Sequence, residues 1–203
     1  GYRATGQRCE RFQADDALRA GEVIRVGGRT WEALAAPGHD PLALMLFDAA
    51  DGVLITADAL WHNGFGVVFP ELEGEDAFDQ VAATLALIEA IAPRRVIPGH
   101  GAPFEDVGPA LRRAITRLSR FVADPTLHLR HAGKVLLKYH LMEVRLQTLA
   151  DTLSWAETTP LFSSIRRRAG FGGSPADWLH ALLSELLAVG ALRLDEQQVI
   201  HDV

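Results

Sequence analysis

One cysteine, Cys9, among 203 residues excludes a disulfide within the chain and is compatible with a reducing compartment. No apolar run approaches the ~18–20 residues of a membrane span, and no signal-peptide pattern opens the sequence, so it reads as soluble and cytoplasmic. Basic charge is not in excess either. Lys and Arg number 20 against 26 Asp and Glu, a net charge of −6, which argues against general polyanion binding and leaves room only for a local basic patch. What is abundant is apolar: 48% hydrophobic residues at this length can bury a sizeable core, in one large domain or two modest ones.

Punctuation by glycine and proline organises the first part. Glu22–Val26 and Arg29–Leu34 flank Gly27-Gly28, a hairpin signal. Leu42–Phe47 and Val53–Ala57 follow, joined through Asp51-Gly52, and both are almost continuously apolar, as strands covered on both faces are. Asp76–Ala92 is periodic as an amphipathic helix, with Phe78, Val81, Leu85, Ile88 and Ile91 on its stripe, and it crosses over to a strand at Arg94–Ile97. A further helix from near Pro109 sets Leu111, Ile115, Leu118, Phe121 and Val122 inward and Arg112, Arg113, Arg117 and Arg120 on a solvated face. Asp15–Arg19 is expected to form a short helical turn. The pattern predicts α/β architecture.

Three of these strands end in residues that carry chemistry. Pro37-Gly38 halts the chain before His39, Pro98-Gly99 halts it before His100, and Asp58 follows the run Val53–Ala57. Taken singly each is an ordinary turn residue. Together, two imidazoles and one carboxylate at strand ends are suitable ligands for a borderline-soft divalent metal such as zinc. After Asp58, the stretch Trp61–Pro70 sets Gly64 and Gly66 among aromatics; it reads equally as a pocket wall or as a surface loop packed by its own rings.

The order and spacing of His39, Asp58 and His100 resemble the second half of the metallo-β-lactamase fold, an αββα sandwich, and in particular its glyoxalase II-like hydrolases. The resemblance covers about Glu22 to Phe104. It implies that His39 binds a first metal, that Asp58 bridges two metals and is catalytic, and that His100 binds the second. The loop after Asp58 would then lie beside the metals, with His62, Asn63 and Phe65 as substrate-binding candidates. The implied cofactors are two divalent ions, zinc first and manganese or iron as alternatives, about 3.5–4 Å apart. The family's His-x-His-x-Asp-His motif, which supplies the other ligands, occurs nowhere in these 203 residues and is expected upstream of Gly1. Two smaller departures are Ala57, where glycine is usual before the bridging Asp, and Asp40-Pro41, where Ser or Thr usually follows the histidine.

Asp124-Pro125 marks the expected boundary between a domain at 1–124 and another at 125–203. In the latter, helices are predicted from about Ala132 to Met142, from Leu146 to Trp155, from Pro160 to before Gly170, and from Ser174 to Val189. Ala191–Leu194 and Gln198–His201 then flank a hairpin turn. Helices followed by a ribbon resemble a winged-helix module, which some metallo-β-lactamase-fold hydrolases carry, an endoribonuclease branch included. His128 and His131 read as surface histidines, and Arg166–Arg168 as cations complementing a helix end or, alternatively, a phosphate patch.

These observations favour a hydrolase of small esters or thioesters, acting through a metal-bound hydroxide on a small-molecule substrate. A metal-dependent nuclease whose second domain holds nucleic acid is the alternative, and a non-enzymatic binding module is the third reading. Because this chain offers each ion two side chains, it is expected to turn over poorly by itself.

Overall fold

The computed structural model describes residues 13–203; Cys9 lies outside the described residues. Its Cα framework divides between Ala123 and Asp124 into two compact units. Among the described residues there are eight strands and seven helices.

In the first unit, β1 (Val23–Val26) and β2 (Arg29–Ala35) form a hairpin over Gly27 and Gly28, both at positive φ (61° and 76°). That geometry suits the twist of the flanking strands and is open to glycine at little cost. β3 (Leu44–Asp48) and β4 (Val53–Ala57) continue the antiparallel meander. β5 (Arg95–Pro98) then lies parallel to β4, closing the order β1-β2-β3-β4-β5. A parallel neighbour requires a long crossover. It is supplied by the loop after Asp58, α1 (Phe69–Glu73) and α2 (Phe78–Ile91), with α3 (Val107–Ala123) following β5.

This topology gives β2, β4 and β5 the same direction, so their C-terminal ends share one edge of the sheet. Crevices at such edges are where open α/β sheets gather functional side chains. On one face, Met45, Leu54 and Val96 are fully buried and form the core with Leu85 and Ile88 of α2 and Ala114 of α3. The opposite face, expected to be covered equally, is buried at Trp31 and Ala33 but half-exposed where Leu46, Ile55 and Ile97 line up in register.

Other expectations are corrected. Asp15–Arg19 forms no helix; it is irregular chain ahead of β1. Leu42 lies outside β3 and is exposed, and the short α1 interrupts a stretch expected to be loop. Ile115 and Val122, assigned to the apolar face of α3, are exposed; with Leu85, Leu118 and Ala82 they line an open apolar groove.

The second unit opens on α4 (Pro125–Val144), with Pro125 at its first turn and Asp124 capping the Thr126 amide at 3.0 Å. β6 (Leu146–Thr148) leads into α5 (Leu149–Thr158), capped by Thr148, and then α6 (Pro160–Arg168). α7 (Pro175–Ala188) begins with a reciprocal capping box between Ser174 and Asp177. β7 (Leu192–Leu194) and β8 (Val199–Asp202) complete a sheet in the order β6-β8-β7. The helix expected from Leu146 therefore starts at Leu149. Arg145 turns the chain at φ 67°, and Leu146–Thr148 pairs instead with the distant Val199–His201. Leu137, Leu141, Phe162, Ile165, Trp178, Leu179, Leu182 and Ile200 form the core. Gly133 lets α4 approach α7, since a Cβ there would sit 3.0 Å from Leu182 and 3.2 Å from Trp178.

His128 is not a surface residue. It is almost completely buried, and burial, with lesser contributions from His131 and Arg168, lowers its pKa to about 4.

Candidate metal centre

Each candidate side chain is held by a different strand end. After β2, the Pro37 carbonyl accepts the Thr84 hydroxyl of α2 at 2.9 Å. Gly38, at φ 138°, passes so close to Val81 that a Cβ would lie 2.6 Å from its Cγ2. Helix α2 thus fixes the turn that delivers His39. After β4, Ala57 adopts φ 45° at an irregularity in the β4–β5 ladder, and the Thr56 hydroxyl donates to the Leu60 carbonyl at 2.7 Å. The Ala57 carbonyl accepts the Gly99 amide at 2.7 Å, tying the Asp58 turn to the one that delivers His100.

The three side chains converge on one carboxylate. Asp58 Oδ2 stands 3.3 Å from His39 Nε2, and Asp58 Oδ1 stands 3.7 Å from His100 Nε2. The His39 ring is fixed from behind: Nδ1 lies 2.6 Å from the Val67 carbonyl, which can only accept, so Nδ1 carries the proton. In the neutral ring Nε2 is then a lone pair facing a carboxylate oxygen. Two acceptors at that distance are reconciled by a second ring proton or by a metal ion between them. Donors each ~2.0–2.1 Å from one ion at the tetrahedral angle stand about 3.3 Å apart, so the His39–Asp58 pair fits a shared metal in kind and in span. The fit falls short in number. The two imidazoles face different oxygens, giving two pairs and no triad, and among the described residues no three His, Cys, Asp or Glu side chains gather as one metal-holding group.

The loop after Asp58 presses on the site through its glycines. The Gly66 amide donates to the Asp58 carbonyl at 2.8 Å. A Cβ on Gly66 would lie 2.7 Å from His39 Nδ1 and 2.9 Å from Asp58 Cβ. From the other side, a Cβ on Gly99 would lie 2.8 Å from Asp58 Oδ1.

Trp61 is not singled out by the sequence, yet it touches two of the three residues. Its indole N–H donates to Asp58 Oδ1 at 3.0 Å, and its ring packs edge-on against His100 with centroids 5.0 Å apart. An aromatic three residues after the aspartate is a visible pattern, but only the Trp61–Gly64 bridge folds the ring back onto the carboxylate.

The substrate-binding candidates separate. Phe65 is buried and lines a crevice beside His39 and Asp58 that is too small for more than a water, so it acts as floor and wall. His62 turns away to Asp106, with Nε2 3.0 Å from Oδ2, and packs edge-on against Phe104. Burial alone would raise the Asp106 pKa, but the hydrogen bond and charge of His62, with Arg113, hold it below the usual carboxylate value. Asn63 is exposed at the tip of the loop.

Residues 6–100 match the family model of the metallo-beta-lactamase superfamily. Over that segment, just under half of the chain, the protein is similar to the metallo-beta-lactamase superfamily. An atrochrysone carboxyl ACP thioesterase of Aspergillus fumigatus is 24% identical over 164 residues, which is 81% of this chain and 45% of the fungal protein. Among solved structures, a metallo-beta-lactamase family protein of Thermus thermophilus superposes with a TM-score of 0.46 at 21% identity, covering 94% of this chain and 55% of its own. A beta-lactamase domain protein of Burkholderia ambifaria gives a TM-score of 0.43 at 24% identity, covering 92% and 51%. The chain spans about half the length of these relatives.

Proposed function

We propose that this chain contributes the His39, Asp58 and His100 side of a two-metal centre in a metal-dependent hydrolase, and that the substrate is a thioester or related ester. The carrying observation is the divided carboxylate, with Oδ2 toward His39 and Oδ1 toward His100. One bound ion would draw on His39 and Asp58, the other on His100 and Asp58. Zinc suits this nitrogen and oxygen donor set, with iron or manganese as alternatives. Such ions, when bound, activate water at neutral pH and polarise a carbonyl oxygen. The protein's own part is orientation. Val67 fixes the His39 tautomer, Trp61 steadies one oxygen of Asp58, and Gly66 and Gly99 admit the backbone to close range. The chain supplies two side chains per ion where a catalytic zinc takes three and a water, so full activity requires further ligands.

The thioester preference rests on the fungal thioesterase named above. The nuclease alternative draws on the second unit, which we read as winged-helix-like from its strand, helices and closing hairpin. α7, which precedes that hairpin, holds no Lys or Arg and exposes Asp177, His180 and Ser184. That surface favours a small-molecule substrate over a phosphate backbone. The test is calorimetric titration of zinc into the chain and its Asp58→Ala variant, with hydrolysis of a generic acyl thioester and of RNA followed in parallel. Zinc binding that is lost with Asp58, with thioester cleavage exceeding RNA cleavage, supports the reading. Binding that survives Asp58→Ala overturns it.

A further inference from the structure

Helix α3 carries Arg112, Arg113, Arg117 and Arg120 and no acidic residue, in a chain whose net charge is −6. Two of these arginines, one turn apart, reach the neighbouring loop at 61–66. Arg113 Nε donates to the His62 carbonyl at 2.8 Å, and its Nη2 lies 3.6 Å from Asp106, the same carboxylate that pairs with His62. Arg117 lays its guanidinium against Gly64, so closely that a methyl on that glycine would run into it. Gly64 bridges through its backbone to Trp61, and Trp61 bonds to Asp58, so both arginines border the loop that walls the candidate metal centre.

Charge is unbalanced here. His62 and Arg113 share the single carboxylate of Asp106, whereas Arg117 is half-buried and forms no ion pair among the described residues. Burial and the like charge of Arg120 both press its pKa downward. A partly desolvated guanidinium without a counter-charge is costly, and the planar fork of its N–H groups matches an oxyanion in two parallel hydrogen bonds.

We propose that Arg117, with Arg113 one turn before it on α3 adding positive charge, binds an oxyanion group of the substrate, a phosphate or carboxylate on the portion remote from the cleaved bond. This names a substrate class, an anionic thioester or ester, and rests on the hydrolase reading for its purpose; the anion site itself needs no metal. The loop at 61–66 then serves both ends of the substrate, with Trp61 and Gly66 toward the reacting carbonyl and Gly64 beside the anion.

The test is metal-free titration of the chain with inorganic phosphate and, in a second arm, acetate, followed by calorimetry and by the amide resonance of Gly64. Saturable binding that shifts Gly64 is expected, with affinity falling about fivefold or more in Arg117→Met and partly restored in Arg117→Lys. Arg112→Met, on an exposed residue of the same helix, should bind as the parent does. The arm that saturates at lower concentration identifies the oxyanion. Absence of saturation in both arms, or equal loss in Arg112→Met and Arg117→Met, overturns the proposal. Should Arg117→Met unfold, Arg117→Lys and the Gly64 resonance of the parent decide it. Phosphate or acetate binding at Arg117 together with zinc binding that survives Asp58→Ala would defeat the hydrolase reading alone, and zinc binding through Asp58 without anion binding would defeat this one alone.

Discussion

Trp61 and Asp58 are joined by a hydrogen bond of 3.0 Å from the indole N–H to Oδ1, the oxygen that faces His100. The bond fixes the carboxylate rotamer so that its other oxygen is presented to His39. Trp61→Phe keeps the edge-on packing against His100 and removes the donor. We expect about tenfold weaker zinc binding in the variant by calorimetry, in line with the effect of residues that orient ligands. Quenching of tryptophan emission by cobalt should fall as well, because the fluorophore nearest the site is gone. Unchanged affinity would show that Asp58 needs no such support.

Asp58 belongs to both donor pairs, whereas each histidine belongs to one. Asp58→Ala should therefore abolish zinc binding, while His39→Ala and His100→Ala each leave a weakened single-ion isotherm. Stoichiometry measured by calorimetry separates these outcomes. Equal losses in all three variants would mean that the ions do not divide between the two oxygens.

Much of this site is legible in the sequence because its turns are made of residues with few conformational options. Pro37-Gly38 and Pro98-Gly99 end strands wherever they occur, and the apolar runs before them fix what they end. Trp61, Arg113 and Arg117 are not legible as parts of the site, because their roles depend on a loop folding back and on a helix more than 40 residues downstream packing against it. Leu146–Thr148 misleads for the same reason. Local periodicity favours a helix, but the partner strand at Val199–His201 lies far along the chain. His128 misleads because a histidine in an amphipathic segment gives no sign of which face it takes until α4 packs.

Ala57 offers a test of backbone strain. Its φ of 45° places an L-residue in the left-handed region, at a cost of about 1–2 kcal/mol relative to right-handed backbone. Ala57→Gly relieves that cost and adds some entropy loss on folding, so a net stabilisation of about 0.5–1 kcal/mol is expected in urea denaturation. A loss of stability would show that the alanine methyl makes a packing contribution larger than the strain.

Gly66→Ala should act in the opposite sense. Its new methyl would meet His39 Nδ1 and Asp58 Cβ inside van der Waals distance, from the backbone side where neither can yield. The His39–Val67 hydrogen bond should break, and the Nδ1 proton of His39, otherwise slow to exchange in proton–nitrogen spectra, should become labile. Zinc affinity falls with it. Retention of the slowly exchanging proton would show that the loop moves aside at little cost.

His128 makes the stability of the second unit sensitive to acid. Its folded pKa is lowered to about 4, and an unfolded histidine titrates near 6.5. Between these values the unfolded chain binds a proton that the native one refuses, so stability rises with pH through this window. The contribution is fully present above about pH 6.5, declines below it as the unfolded state protonates, and stops declining below about pH 4, where the native ring is charged too. A shift of this size corresponds to at most about 3 kcal/mol, an upper bound because some hydration survives around the ring. Urea denaturation at steps from neutral pH to about pH 4 should show the loss. His128→Leu, which matches the ring's apolar surroundings and cannot titrate, should reduce the slope in that window by up to one proton. A variant with the parent's slope would place the acid sensitivity on another group.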